Sequence, residues 1–241
     1  MKRGRAGASA DDACAWAERL GWAFGLIAED PAARGAALVH LAEAQRKVTD
    51  ALARSNEMWL PTRHLGTDEQ YWEPAFLQAR RRHQQAHRRS LPDGVWGGPV
   101  DGDLATWPGL PYVLLFLEWE ARYPLEGTQH AKAWGTKQSL IRKMARARQG
   151  EAIKTKLTDL VEIVVHRAYR CKDREYVRVA RAVDSADLRG RLDRAADSDS
   201  PWARCHADYV LWLLDRPDLP NTRRVWQIWV ASEALPRDDR L

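Results

Sequence analysis

Long apolar runs and cysteines are scarce in this chain of 241 residues. Its longest apolar stretch, residues 113–117, is far shorter than the roughly 20 residues of a membrane-spanning helix, so we expect no membrane partner. The three cysteines are widely separated and form no CxxC pair, a spacing typical of neither a disulfide framework nor a structural zinc site. The basic N-terminus is followed by Ser9 and Asp11 rather than by the apolar segment of a signal peptide. The sequence therefore predicts a soluble, cytoplasmic protein.

Catalytic motifs are also missing. The chain contains no Walker-type phosphate loop, no GxGxxG fingerprint and no GxSxG elbow, which argues against nucleotide hydrolysis and the α/β-hydrolase class. His83 and His87 have a spacing that could hold a metal, but Gln84 stands where zinc proteases place their catalytic Glu, and the neighbouring arginines would repel a cation. The sequence therefore favours a non-catalytic protein with no metal and no cofactor.

Carboxylates near the middle of the chain keep one enzymatic alternative open. Asp101, Asp103, Glu118 and Glu120 could together hold Mg²⁺, as in a metal-dependent enzyme acting on nucleic acid. The sequence that follows them contains no arrangement of acids and lysines that is typical of such an enzyme.

Tryptophan is abundant, with twelve residues against six Tyr and three Phe. Large rigid indoles anchor helix contacts, so we expect Trp212, Trp226 and Trp229 to pack in the core rather than to stack on bases. Trp-rich helical surfaces also leave open a second function, that of a protein–protein adaptor. Protein partners are expected on either hypothesis.

Helix start signals recur along the chain. Asp30-Pro31 and Ser200-Pro201 each combine an N-cap residue with a first-turn proline, and Ser185 and Thr222 occupy further N-cap positions. Apolar residues between these signals recur at helical spacing. The sequence predicts an all-α, multi-helix bundle of about nine to ten helices, including a single helix over about 128–149 and a first helix capped by Ser9.

One long Gly/Pro-rich loop interrupts the pattern. Residues 91–111 contain five Gly and four Pro, and a loop of this length is typical of a linker or a functional segment. We therefore predict an N-terminal helical half at 1–90, the loop at 91–111 and a basic C-terminal half at 112–241, unless the whole forms one domain. The strongly apolar residues 112–123 are expected to form a central buried helix. Cys14 and Cys171 are also expected in the core.

Positive charge is unevenly distributed, although the formal net charge is only +5. Residues 130–182 hold fourteen Lys and Arg against five Asp and Glu, so this segment has a surplus of nine. A denser cluster spans residues 80–89, with five Arg and no acid. Like charges one helical turn apart repel each other, and an anionic partner such as phosphate would relieve the repulsion.

These clusters supply the candidate nucleic-acid-binding residues. They are Arg80, Arg81, Arg82, Arg88, Arg89, Lys132, Lys137, Arg142, Lys143, Arg146, Arg148, Lys154 and Lys156. The leading hypothesis is a non-catalytic, helical, nucleic-acid-binding subunit of a larger intracellular assembly, which contacts the phosphate backbone of DNA or RNA. It requires that folding gathers these cations into a continuous exposed surface and does not match each of them with a nearby carboxylate.

Overall fold

A computed structural model describes residues 4–62, 73–96, 106–130, 133–147 and 150–233, and these residues are helical with no strand. The predicted all-α class is confirmed, and the predicted count is close to the eleven α-helices found in the described ranges. These helices are α1 (Gly4–Leu20), α2 (Pro31–Trp59), α3 (Pro74–Arg88), α4 (Leu110–Arg122), α5 (Pro124–His130), α6 (Trp134–Arg146), α7 (Glu151–Val165), α8 (Tyr176–Ala182), α9 (Ala186–Ala196), α10 (Pro201–Leu214) and α11 (Arg223–Glu233). Short 3-10 helices lie at Gly21–Ile27, Leu60–Thr62, Asp93–Val95 and Asp173–Glu175.

The chain divides into two compact units, Met1–Ala133 and Trp134–Leu241. The division falls after the 91–111 segment, of which residues 97–105 lie outside the described ranges. Helix α4 belongs to the first unit and packs on Gly21–Ile27, whereas the sequence placed it in the C-terminal half. Apolar side chains on every face of α4 need to be buried, and the N-terminal helices bury part of them.

Helix α4 is the buried centre of the first unit, as its apolar sequence predicts. Phe116 and Leu117 are each 1% exposed, and Trp119 is fully buried. The indole of Trp119 donates a hydrogen bond to Glu126 Oε2 at 3.0 Å, so its polar atom is satisfied inside the core. Trp16 stacks on Tyr112 of the same helix. These indoles have the packing role that the Trp-rich composition indicates.

Helices α2 and α3 pack along each other in the first unit. Asp30 caps α2 as predicted, since its carboxylate accepts hydrogen bonds from Ala32 N and Ala33 N. Gly25 allows the preceding 3-10 helix to approach α2 closely, because a Cβ there would lie 2.8 Å from Ala37 Cβ. Gln45 of α2 donates a hydrogen bond to the carbonyl oxygen of His130.

In the second unit, α9 and α10 pack together, α7 contacts both of them, and α8 contacts α7 and α10. The predicted caps Ser185, Ser200 and Thr222 accept hydrogen bonds from backbone N–H groups near the starts of α9, α10 and α11. One guanidinium nitrogen of Arg181 donates hydrogen bonds to the carbonyls of Leu213, Arg216 and Leu219. Arg181 therefore ties the end of α10 to the segment that leads to α11.

Three local predictions are wrong. Helix α1 begins at Gly4 rather than at a Ser9 cap, and the segment predicted as one helix over 128–149 divides into α5 and α6. Cys14 and Cys171 are exposed rather than buried. Among the described residues, no helix has both the length and the apolar character needed to cross a membrane.

Candidate functional site

The basic helix α6 of the second unit directs part of its positive charge inward. Lys137 is 1% exposed, and its Nζ lies 2.6 Å from Asp173 Oδ1 in a buried ion pair. Asp173 also accepts hydrogen bonds from Arg167 and from the backbone N–H of Arg170. Lys137, which the sequence proposed as a phosphate contact, therefore has its ammonium group inside the protein and paired with a carboxylate.

A second carboxylate, Glu175, engages Arg142 of the same helix. The Arg142 guanidinium donates to both carboxylate oxygens at 2.9 and 2.8 Å, and Gln138 and Arg178 donate further hydrogen bonds. Burial alone would raise the pKa of Glu175, but these hydrogen bonds, chiefly those from Arg142, lower the pKa to about 2. Arg142 thus already holds a bidentate anionic partner supplied by the fold.

The other candidates in the second unit differ in their surroundings. Lys154 pairs with Glu151 at 2.7 Å, Lys156 and Arg146 are exposed, and Lys143 is half-buried. Arg148 of this unit and Lys132 of the first unit lie outside the described residues. Gly150 joins α6 to α7 in the segment where the sequence suggested a helical hairpin, and it forms the N-cap of α7.

The arginine cluster of the first unit lies on α3 and just after it. Arg81, Arg82, Arg88 and Arg89 are exposed, whereas Arg80 is half-buried. Within the described residues, Arg81, Arg82 and Arg88 make no ion pair. Arg89 pairs only loosely with Glu18 at 3.8 Å, and both side chains are largely exposed. This cluster therefore keeps most of its charge available to an external anion.

A furrow runs along the packed pair of α2 and α3. It consists of two depressions of about 220 and 470 Å³, which both have Lys47 and Arg82 in their walls. Five basic residues line it against three acids. The basic residues are Arg19, Lys47, Arg54, Arg82 and Arg89, and the acids are Glu18, Glu43 and Asp50. We call it the α2–α3 furrow.

Like charges crowd one end of the α2–α3 furrow. Partial burial lowers the pKa of Arg19, the Arg88 and Arg89 guanidinium groups lower it further, and Asp12 and Glu18 raise it. The net direction of this pKa shift is downward, with burial as its largest cause and the repulsion from the two neighbouring guanidinium groups adding to it. An anion placed here would reduce this repulsion.

Aromatic rings line the same end of the furrow. The Trp22 indole stacks on the exposed His40 imidazole, with ring centroids 4.5 Å apart and planes inclined by 27°. Sequence analysis missed Lys47, Arg54, Arg19 and this ring pair. Their helices carry mixed charges, and only the packing of α2 on α3 brings them beside Arg82.

The residues considered for metal binding do not converge where the structure describes them. His83 and His87 have ring centroids 5.9 Å apart, and His87 lies 3.9 Å from Asp93. Glu118 pairs with Arg122 one helical turn away. Asp101 and Asp103 lie outside the described ranges. Within those ranges, no three His, Cys, Asp or Glu side chains are grouped so as to hold a metal ion.

The second unit contains an apolar cavity of about 460 Å³ that sequence analysis did not predict. Val161, Val164 and Val165 of α7, Tyr209 and Val210 of α10, and Trp226 of α11 contribute to its walls. Cys205 and His206, which the sequence suggested lie on different faces of their helix, both line this cavity. No single segment encodes the cavity, because its walls come from helices that are distant in the sequence.

Comparison of the chain with models of known protein families, with curated proteins and with solved structures finds no match. The functional argument therefore depends on the residues themselves.

Proposed function

We propose that this protein is a non-catalytic nucleic-acid-binding protein that holds the phosphate backbone in the α2–α3 furrow. The observation that carries the proposal is that the exposed residues Arg82 and Arg89 line the α2–α3 furrow together with Lys47 and Arg54 of α2. Guanidinium groups bind phosphate oxygens in a bidentate manner, and each neutralised phosphate releases counterions.

The furrow also suits an unstacked strand better than it suits a small anion. Its two depressions share Lys47 and Arg82 in their walls, so neighbouring phosphates could contact neighbouring cations. The Trp22–His40 pair supplies a flat ring system beside the cations, and base–aromatic stacking tolerates any sequence. Contact through charge and stacking implies binding without base-specific recognition. Lys143, Arg146 and Lys156 of the second unit could add contacts but are not needed for this binding.

Fluorescence anisotropy of labelled single- and double-stranded DNA and RNA, measured from low to moderate salt, tests the proposal. We expect the binding constant to fall linearly with salt on logarithmic axes. The double variant Arg82→Gln/Arg89→Gln should weaken binding roughly tenfold and flatten the salt slope by about 1 for each lost phosphate contact.

The matched control is Arg194→Gln/Arg204→Gln, which removes two exposed helical arginines of the second unit. It should leave the affinity and the slope unchanged. Absence of binding at low salt, or equal losses in the two double variants, would refute the proposal.

A further inference from the structure

The cavity of the second unit has a closed apolar floor and an exposed mouth. Its most buried wall residues include Val161, Val165 and Tyr176, each no more than 3% exposed. Tyr169 and Trp202, at 54% and 55% exposed, lie at the mouth. Large aromatic side chains left half in water beside an apolar hollow are typical of a site for a small molecule.

Within the described wall, the floor of the cavity offers no free carboxylate. Asp173 is the only acid in the described wall, and its carboxylate is already bonded to Lys137, Arg167 and the backbone of Arg170. Burial lowers the pKa of His206, and the ring Nδ1 lies 3.2 Å from the carbonyl oxygen of Val165. The neutral imidazole therefore donates its Nδ1 proton to that carbonyl. Such a floor favours the apolar part of a ligand.

Hydrogen bonds brace one side of the cavity. Tyr209 Oη donates a hydrogen bond to Asn221 Oδ1 at 2.9 Å, and Asn221 Nδ2 donates to the carbonyl of Arg174 at 2.7 Å. Burial raises the pKa of Tyr209 to about 12, so its hydroxyl keeps its proton as a donor. Asn221 thus joins α10 to the 173–175 turn beside the mouth, and the cavity is formed before any ligand enters.

The mouth, in contrast, is cationic. Arg174 and Arg223 are both exposed wall residues, and the described wall has no exposed acid to oppose them. Arg223 makes no ion pair with a described residue. Arg174 lies 3.8 Å from Glu175, but this contact is loose. The oxygens of Glu175 accept closer hydrogen bonds from Arg142, Gln138 and Arg178. Arg223 is also the first residue of α11, where unpaired backbone N–H groups add partial positive charge.

We propose that this cavity binds a small amphiphilic anion, whose apolar ring system or chain lies on the valine and aromatic floor while its carboxylate, sulfonate or phosphate group meets Arg174 and Arg223 at the mouth. This site lies within the second unit and is independent of the α2–α3 furrow. The volume of about 460 Å³ suits a molecule of two or three fused or linked rings or an equivalent chain.

Two fluorescent probes that differ by one charged group test both halves of the proposal in the full chain. Anilinonaphthalene sulfonate has an apolar aromatic ring system and an anionic sulfonate group. N-phenyl-1-naphthylamine has the same ring system without the charged group. We expect both to bind with saturation at one site per chain, and the sulfonate to bind more tightly.

Substitutions then separate the floor from the mouth. Arg223→Gln should weaken sulfonate binding by about fivefold and leave the neutral probe unchanged. The adjacent Arg224→Gln, an exposed arginine outside the described wall, should change neither. Val164→Phe and Val210→Phe fill the floor from two different helices and should abolish binding of both probes, with circular dichroism reporting that each variant is folded.

Arg82→Gln in the first unit is the control for sulfonate held by the furrow, and it should have no effect. Saturable binding that survives both filling variants in folded protein would overturn the site. Equal effects of Arg223→Gln and Arg224→Gln would overturn the anionic mouth.

Discussion

The two units use positive charge in different ways. In the second unit, two cations of α6 form internal ion pairs: Lys137 with the buried Asp173, and Arg142 with Glu175. Arg191 of α9 likewise pairs with Asp159 and Glu162 of α7. In the first unit, Arg82 of α3 lines the α2–α3 furrow beside Lys47 and Arg54 of α2. Part of the larger surplus in the sequence is therefore neutralised by carboxylates of the second unit itself, whereas the exposed arginines at the end of α3 remain accessible. A count of charges along a chain says little about recognition until its internal partners are known.

The largest test of this difference is Lys137→Met. Removing one partner of a buried pair leaves Asp173 without its closest cation, so we expect a loss of about 3 kcal/mol in the free energy of unfolding. Urea denaturation followed by circular dichroism measures it. Lys143→Met on the same helix should change stability by less than about 0.5 kcal/mol. Weaker oligonucleotide binding by folded Lys137→Met would contradict the structural role of this lysine.

Glu175→Gln should have the next largest effect. Charge-assisted hydrogen bonds from Arg142 and Arg178 would become weaker, and we expect a loss of about 2 kcal/mol at neutral pH.

The pH dependence of the same variant gives a second check. Because folding lowers the pKa of Glu175 from 4.5 to about 2, its contribution to stability is present above pH 4.5 and declines as the pH falls toward 2. Urea midpoints recorded across this range should decline less in the Gln variant than in the parent. Glu151→Gln, at an exposed carboxylate, serves as the control; an equal change in its pH profile would count against this assignment.

The helix caps allow a comparison of smaller stability contributions in the two units. Asp30 accepts two hydrogen bonds, at 3.1 and 3.2 Å, whereas Ser200 accepts one at 3.4 Å. We expect Asp30→Ala to cost about 1 kcal/mol and Ser200→Ala about half as much. Thermal melts of the two variants would rank them, and the reverse ranking would show that cap geometry does not decide the difference.

The smallest expected effect concerns the basic residues of the second unit. Lys143→Gln/Arg146→Gln removes as much charge as the Arg82→Gln/Arg89→Gln variant of the furrow. We expect it to weaken nucleic-acid binding by less than about threefold, since a cation that contacts no phosphate acts only through screened, long-range attraction. A loss equal to that of the furrow variant would place the second unit in the interface.

Local signals predicted the helices well. Asp30, Ser185, Ser200 and Thr222 cap helices where the sequence placed them, because a cap depends on residues within one turn. Residues 112–123 form a buried helix because exposing so many apolar side chains to water would be unfavourable.

Long-range pairing could not be predicted in the same way. Lys137 and Asp173 are separated by 36 residues, and neither segment contains a signal that predicts their contact. The walls of the apolar cavity and of the α2–α3 furrow likewise come from separate helices. Sequence analysis therefore found the arginines of α3 but missed Lys47 and Trp22 beside them.

Arg181 has a consequence beyond its own helix. The segment between α10 and α11 has no helical hydrogen-bond ladder, and the three carbonyls bound by this one side chain restrain it. Asn221 and Thr222, the last two residues of that segment, lie in the wall of the cavity. The access route for any small molecule thus depends on an arginine outside the described wall, and changes at Arg181 could alter entry and exit rates while every wall residue stays the same.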